Sequence, residues 1–98
     1  MPLDVHIKCD DGLFCFCIDE SFHSSMFSGS TRWSSFKHLR KIKDYYLTDI
    51  LLKNGDAVSF VNELIDICER NSLKCNEMDK IKMLASGNKI DYVRVSGD

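Results

Sequence analysis

The chain has 98 residues, 44% of them hydrophobic and 29% charged, enough apolar material for one core and too little length for two domains of ordinary size. One proline, five glycines and no long block of like charge exclude a disordered chain, and no apolar run approaches the roughly 20 residues that cross a bilayer. Thirteen Lys and Arg against fifteen Asp and Glu leave a net charge of -2, which gives nucleic acid no long-range attraction to the molecule as a whole. Met1 to His6 lacks the basic start and long apolar run of a secretory signal. Five cysteines, an odd number, fit a reducing, cytoplasmic setting in which thiols act as small apolar groups.

In chain order, Leu3, Val5, Ile7 and Cys9 alternate with Asp4, His6 and Lys8, the two-residue period of a strand with one dry and one wet face. Asp11-Gly12 is a tight-turn dipeptide, and Leu13 to Ile18 follows as an unbroken run of strand-forming residues ending on Asp19. This run reads as a buried, central strand. A two-residue turn at Asp11 and Gly12 predicts Cys9 opposite Phe14, Ile7 opposite Phe16 and Val5 opposite Ile18, which sets both apolar groups on one face. His6 then faces Cys17 and Lys8 faces Cys15, with Cys15 and Cys17 packed beneath helices on the second face.

Ser21 is positioned to cap a short helix through Phe27, closed by the loop residues Ser28 to Thr31. Beyond Trp33, a cap at Ser34 or Ser35 and the spacing of Phe36, Leu39, Ile42 and Tyr46 predict a helix that packs on the sheet. Thr48 to Lys53 reads as a third strand, ended by Asn54-Gly55. Asp56 caps the clearest helix, whose stripe of Ala57, Val58, Val61, Leu64, Ile65 and Cys68 lies opposite Ser59, Asn62, Glu63, Asp66 and Glu69. A helix from Asn76 to Ser86, stopped at Gly87, and a last strand from Lys89 to Val95 complete the chain. The expectation is a single α+β domain over 1–98, with an N-terminal hairpin in a three- or four-stranded mixed or antiparallel sheet packed with three or four helices.

No run of residues names a chemistry. Cys15-x-Cys17 with His6 across the hairpin offers three zinc-type ligands, but structural zinc takes four and the fourth is unspecified, so no metal and no cofactor are assigned. Cys17 and His6 as nucleophile and base lack an orienting third group. His23 and His38 fall in no acid/base or metal spacing and read as surface or helix-flank residues. Asp10-Asp11 and Asp19-Glu20 are accounted for by turn and helix-start chemistry. No catalytic residue is assigned.

Charge is distributed unevenly: residues 29–53 sum to +4, and residues 54–72 to -3. Arg32, Lys37, Arg40 and Lys41, with Trp33 nearby, form a basic aromatic stretch suited to phosphate contact and base stacking, which makes a small nucleic-acid-associated regulatory domain the alternative function. Asp56, Glu63, Asp66 and Glu69 offer an acidic surface, and Trp33, Tyr45 and Tyr46 offer aromatic anchors, for a basic protein partner.

The hairpin with Phe14-Cys15-Phe16-Cys17-Ile18-Asp19, the segment Phe36 to Tyr46 and the acidic helix after Asp56 together resemble, in general character, the small cytosolic immunity proteins with which bacteria neutralise toxins. These proteins share no common motif, so no residue roles carry over. The resemblance implies a non-enzymatic inhibitor that binds a toxin domain stoichiometrically.

Overall fold

Alternation of apolar and polar side chains from Leu3 to Cys9, and again from Val93 to Ser96, builds the sheet. A computed structural model describes residues 3–10, 12–28, 32–44, 48–73, 77–87 and 89–97. The predicted anchors Tyr45 and Tyr46, the turn residue Asp11, the start of the third helix at Asn76, and Cys75 lie outside the described residues. The elements are β1 (Leu3–Cys9), β2 (Gly12–Ile18), α1 (Glu20–Met26), 3-10 turns at Trp33–Ser35 and Leu39–Ile42, β3 (Asp49–Lys53), α2 (Gly55–Arg70), α3 (Met78–Gly87) and β4 (Ile90–Ser96). The α+β class is as expected: the four strands form one antiparallel sheet in the order β2-β1-β4-β3.

That order corrects one expectation. β2, read from the sequence as a central strand, lies at an edge with β1 as its strand neighbour, and the C-terminal strand is central between β1 and β3. The hairpin register also differs by two residues, with Cys9 opposite Gly12, Ile7 opposite Phe14, Val5 opposite Phe16 and Leu3 opposite Ile18. Gly12 sits inside the strand and not in the turn, at φ 138°, an angle that side-chain-bearing residues rarely adopt. A slip of two preserves each side chain's face because the strand period is two, so the shared apolar face stands while the cross-strand partners change. Cys15 faces His6, and Cys17 faces Asp4.

The inward residues Leu3, Val5, Ile7, Phe16, Ile18, Leu52, Val93 and Val95 are buried in a core shared with Met26, Leu39, Ile42, Phe60, Leu64 and Ile81 from the helices and turns. Phe60 is the largest of the fully buried side chains; removing such a ring from water is worth about 1.5–3 kcal/mol. On the opposite face Leu13, Cys15, Cys17 and Leu51 are exposed. The helices therefore cover one sheet face, and Cys15 and Cys17 are not core residues under a second helical layer. A radius of gyration of 12.3 Å is close to the roughly 13 Å of a compact chain this long.

Local capping differs from the expectation in three places. Asp19, rather than Ser21, caps α1, its Oδ1 accepting the Phe22 N–H at 2.7 Å. α2 starts at Gly55 after Asn54, which takes a φ of 53° and makes no side-chain cap; Asp56 is already in the first turn. The helix expected from Ser34 or Ser35 is instead two 3-10 turns separated by extended backbone at Phe36. The anticipated apolar residues Phe36, Leu39 and Ile42 are nonetheless buried. The break arises because the N–H groups of His38 and Leu39 are taken by a carboxylate of α2 instead of by carbonyls one turn back.

Candidate functional site

Asp56, Glu63 and Arg70 recur every seven residues along α2, two turns apart, and so share one flank beside the apolar stripe. Against this flank lies the segment from Phe36 to Ile42. Glu63 Oε1 accepts the backbone N–H groups of His38 at 2.9 Å and Leu39 at 3.2 Å, while its Oε2 lies 2.8 Å from His38 Nδ1. The other ring nitrogen, Nε2, lies 3.1 Å from Asp56 Oδ1. Arg70 stands over the Phe36 ring, 5.8 Å from its centroid. One helix flank thus holds the segment by a carboxylate pair at one end and a cation on an aromatic face at the other.

Burial separates the two carboxylates. The side chains of His38 and Glu63 are 10% and 17% exposed, and that of Asp56 is 66% exposed. The Glu63 contacts are accordingly the strong part of the cluster, and the Asp56 contact is solvent-screened. A doubly protonated ring donates to both carboxylates at once, whereas a neutral ring donates to one. Both nitrogens being engaged in a buried ring, His38 is built as a clasp and offers no free nitrogen as a general base.

A second buried histidine performs a parallel task. His23 Nε2, on α1, donates to the Ile42 carbonyl at 2.7 Å, and its ring packs on Phe27 at 4.6 Å between centroids. Phe27 in turn meets Trp33 edge-on at 5.3 Å. Both ends of the 38–42 turn are therefore tied by imidazoles, and both histidines are buried rather than on the surface. Every buried side-chain nitrogen or oxygen among the described residues has a partner, as a buried polar cluster requires.

No family model matches the chain. No curated protein and no solved structure matches it either.

The predicted acidic surface is divided by these contacts. Glu63 turns its carboxylate inward to His38. Asp66 pairs with Arg70 at 2.9 Å and Glu69 with Lys82 at 2.7 Å, the latter pair raising the lysine's pKa first through its hydrogen bond and then through charge. Trp33 is half-buried on Phe27 and so serves the core margin. The basic residues Arg32, Lys37, Arg40, Lys41 and Lys43 are all exposed and take part in no ion pair among the described residues.

The sheet's uncovered face carries three cross-strand rows: Lys53-Tyr92-Lys8-Leu13, Leu51-Arg94-His6-Cys15 and Asp49-Ser96-Asp4-Cys17. Cys17 Sγ donates to Asp4 Oδ1 at 3.3 Å, and this hydrogen bond, more than the slight burial, pushes the thiol's pKa up. A raised pKa is the reverse of what an attacking thiol needs, so the Cys17 nucleophile is not supported chemically. No group of three or more His, Cys, Asp or Glu among the described residues is arranged to hold a metal ion.

The His38 cluster was not anticipated. The available signal was the seven-residue spacing of Asp56 and Glu63 beside an apolar stripe, which places two acids where a neighbouring segment packs.

Proposed function

We propose that the protein is a non-enzymatic protein-binding module, and most concretely an immunity-type inhibitor that neutralises a toxin by one-to-one binding. The observation that supports this reading is the uncovered sheet face. It is a broad surface of three cross-strand rows, with Leu13 54% and Leu51 48% exposed at its two margins and Arg94, His6, Lys8 and Asp4 between them. A surface mixing exposed apolar groups with charge suits a protein partner, whereas small ligands bind in concave sites of roughly 300–1,000 Å³. Asp66 and Glu69 remain at the surface in exposed ion pairs that a partner's cations can replace.

The test is affinity capture of the tagged full chain from its native cells, followed by native mass spectrometry. A near-stoichiometric, basic protein is expected in a one-to-one complex. Recovery of the chain alone while the candidate toxin is expressed refutes the reading.

The five exposed cations from Arg32 to Lys43, which make no ion pair among the described residues, favour a second reading, nucleic-acid association. It predicts RNA or DNA binding that falls steeply with salt and is lost in the Lys37→Glu/Lys41→Glu double variant. Absence of binding at low salt ends it.

A further inference from the structure

Edge strands in natural proteins are guarded by charge, proline, bulges or brevity, because an open row of N–H and C=O groups recruits other strands. β3, one edge of this sheet, is five residues long and carries Asp49 and Lys53 at its ends, with Asp49 3.4 Å from Arg94. β2, the other edge, has none of these guards. It runs for seven residues, Gly12–Ile18, without a charge or a proline, and its pairing with β1 is free of register shifts. Leu13, Cys15 and Cys17 are exposed along it, and Phe14 is half-buried at the margin of the core.

We infer that β2 pairs antiparallel with β2 of a second copy of this chain, joining two four-stranded sheets into one of eight strands. The inference is independent of the proposed inhibitor function. A two-fold contact sets a surface against itself, so a charged edge often meets its own charge, whereas β2 has no charge to repel. A two-fold axis at Phe16 sets Phe16 against its own copy and Phe14 against Ile18 of the second chain, continuing the inward apolar face across the junction. On the open face it sets Cys15 against Cys17 of the second chain, twice. Asp19, the extended residue just after the strand, falls opposite Leu13, so no acid meets an acid along the pairing. Centring the axis on Cys15 instead sets Cys15 against its own copy, a register that self-cross-linking of a chain with Cys15 as its only β2 thiol would reveal.

The register can be read covalently. Directly opposed residues in an antiparallel pair have Cα atoms roughly 4.5–5.5 Å apart, within the range a disulfide spans. With oxidised dithiothreitol as oxidant, one thiol from each chain joins in an S–S bond; two electrons and two protons pass to the reagent, which becomes the reduced dithiol. In a Cys75→Ser background, Cys15→Ser and Cys17→Ser variants each present one exposed β2 thiol. Neither is expected to cross-link with itself, and an equimolar mixture is expected to give a covalent heterodimer. Sedimentation of the reduced full chain should show a concentration-dependent monomer–dimer equilibrium. Cys15→Lys, at an exposed position, should abolish it, and Leu51→Lys on β3 should leave it intact.

A monomer at every concentration overturns the inference. So does a dimer that survives Cys15→Lys, or one lost only in Leu51→Lys, which places the contact on β3. Self-cross-linking of the Cys17→Ser variant, which retains Cys15, overturns the Phe16-centred register. A monomer whose β2 amides are protected from hydrogen exchange only by a different protein assigns the edge to that protein and overturns self-pairing.

Discussion

Replacing Glu63 by alanine removes three hydrogen-bond acceptances at once: the backbone N–H groups of His38 and Leu39, and His38 Nδ1. Hydrogen bonds to a charged group contribute about 1.5–3 kcal/mol each when buried, and a stranded buried donor costs about 1–3 kcal/mol. Glu63 is 17% exposed, so water recovers part of the loss, and the net destabilisation expected is about 2–4 kcal/mol. That is a large share of a stability of roughly 5–15 kcal/mol. Asp56 accepts one bond from the same ring but is 66% exposed, and Asp56→Ala should lose less than about 1 kcal/mol. Urea unfolding followed by tryptophan fluorescence, which reports on Trp33, measures both variants. At about 4–8 °C per kcal/mol, Glu63→Ala should also lower Tm by roughly 8–30 °C. Equal midpoints for the two variants, or a Glu63→Ala loss below about 1 kcal/mol, refute the clasp.

Phe60→Ala empties the largest fully buried side-chain position and should cost about 3–5 kcal/mol in chemical denaturation. His23→Leu leaves the Ile42 carbonyl without its buried donor and should destabilise by about 1–3 kcal/mol, measured by calorimetry. Asp4→Asn weakens the hydrogen bond and removes the negative charge that together hold the Cys17 pKa up, so more thiolate is present at neutral pH. Alkylation of Cys17 by iodoacetamide should then accelerate relative to Cys15 in the same chain, read by peptide mass spectrometry. An unchanged ratio contradicts the Asp4 contact.

The features legible in the sequence were those set by periodicity. Alternation in β1 and β2 fixes which side chains share a face, and this survived a two-residue slip because parity survives it. The stripe of α2 placed Ala57, Val61, Leu64 and Cys68 in the core for the same reason. Strand order was not legible, since an uncharged run such as Leu13 to Ile18 serves a buried central strand and an unguarded edge equally well. The His38 cluster was hidden for a different reason. It depends on a residue 25 positions from Glu63 meeting a helix flank, and local propensity carries no record of such a contact. Treating Glu63 as an outward acid followed from its polarity alone, whereas its position at the border of the apolar stripe decided its role.

Stoichiometry tests the proposed function most directly. The captured partner's toxic activity is measured against increasing amounts of this chain at partner concentrations well above the dissociation constant. A one-to-one inhibitor predicts a linear fall that reaches zero at one chain per partner, with full recovery of activity when the complex is dissociated. Inactivation by a small fraction of an equivalent shows turnover and an enzyme; no inhibition at excess shows that the bound protein is not a neutralised toxin. Either result contradicts the account.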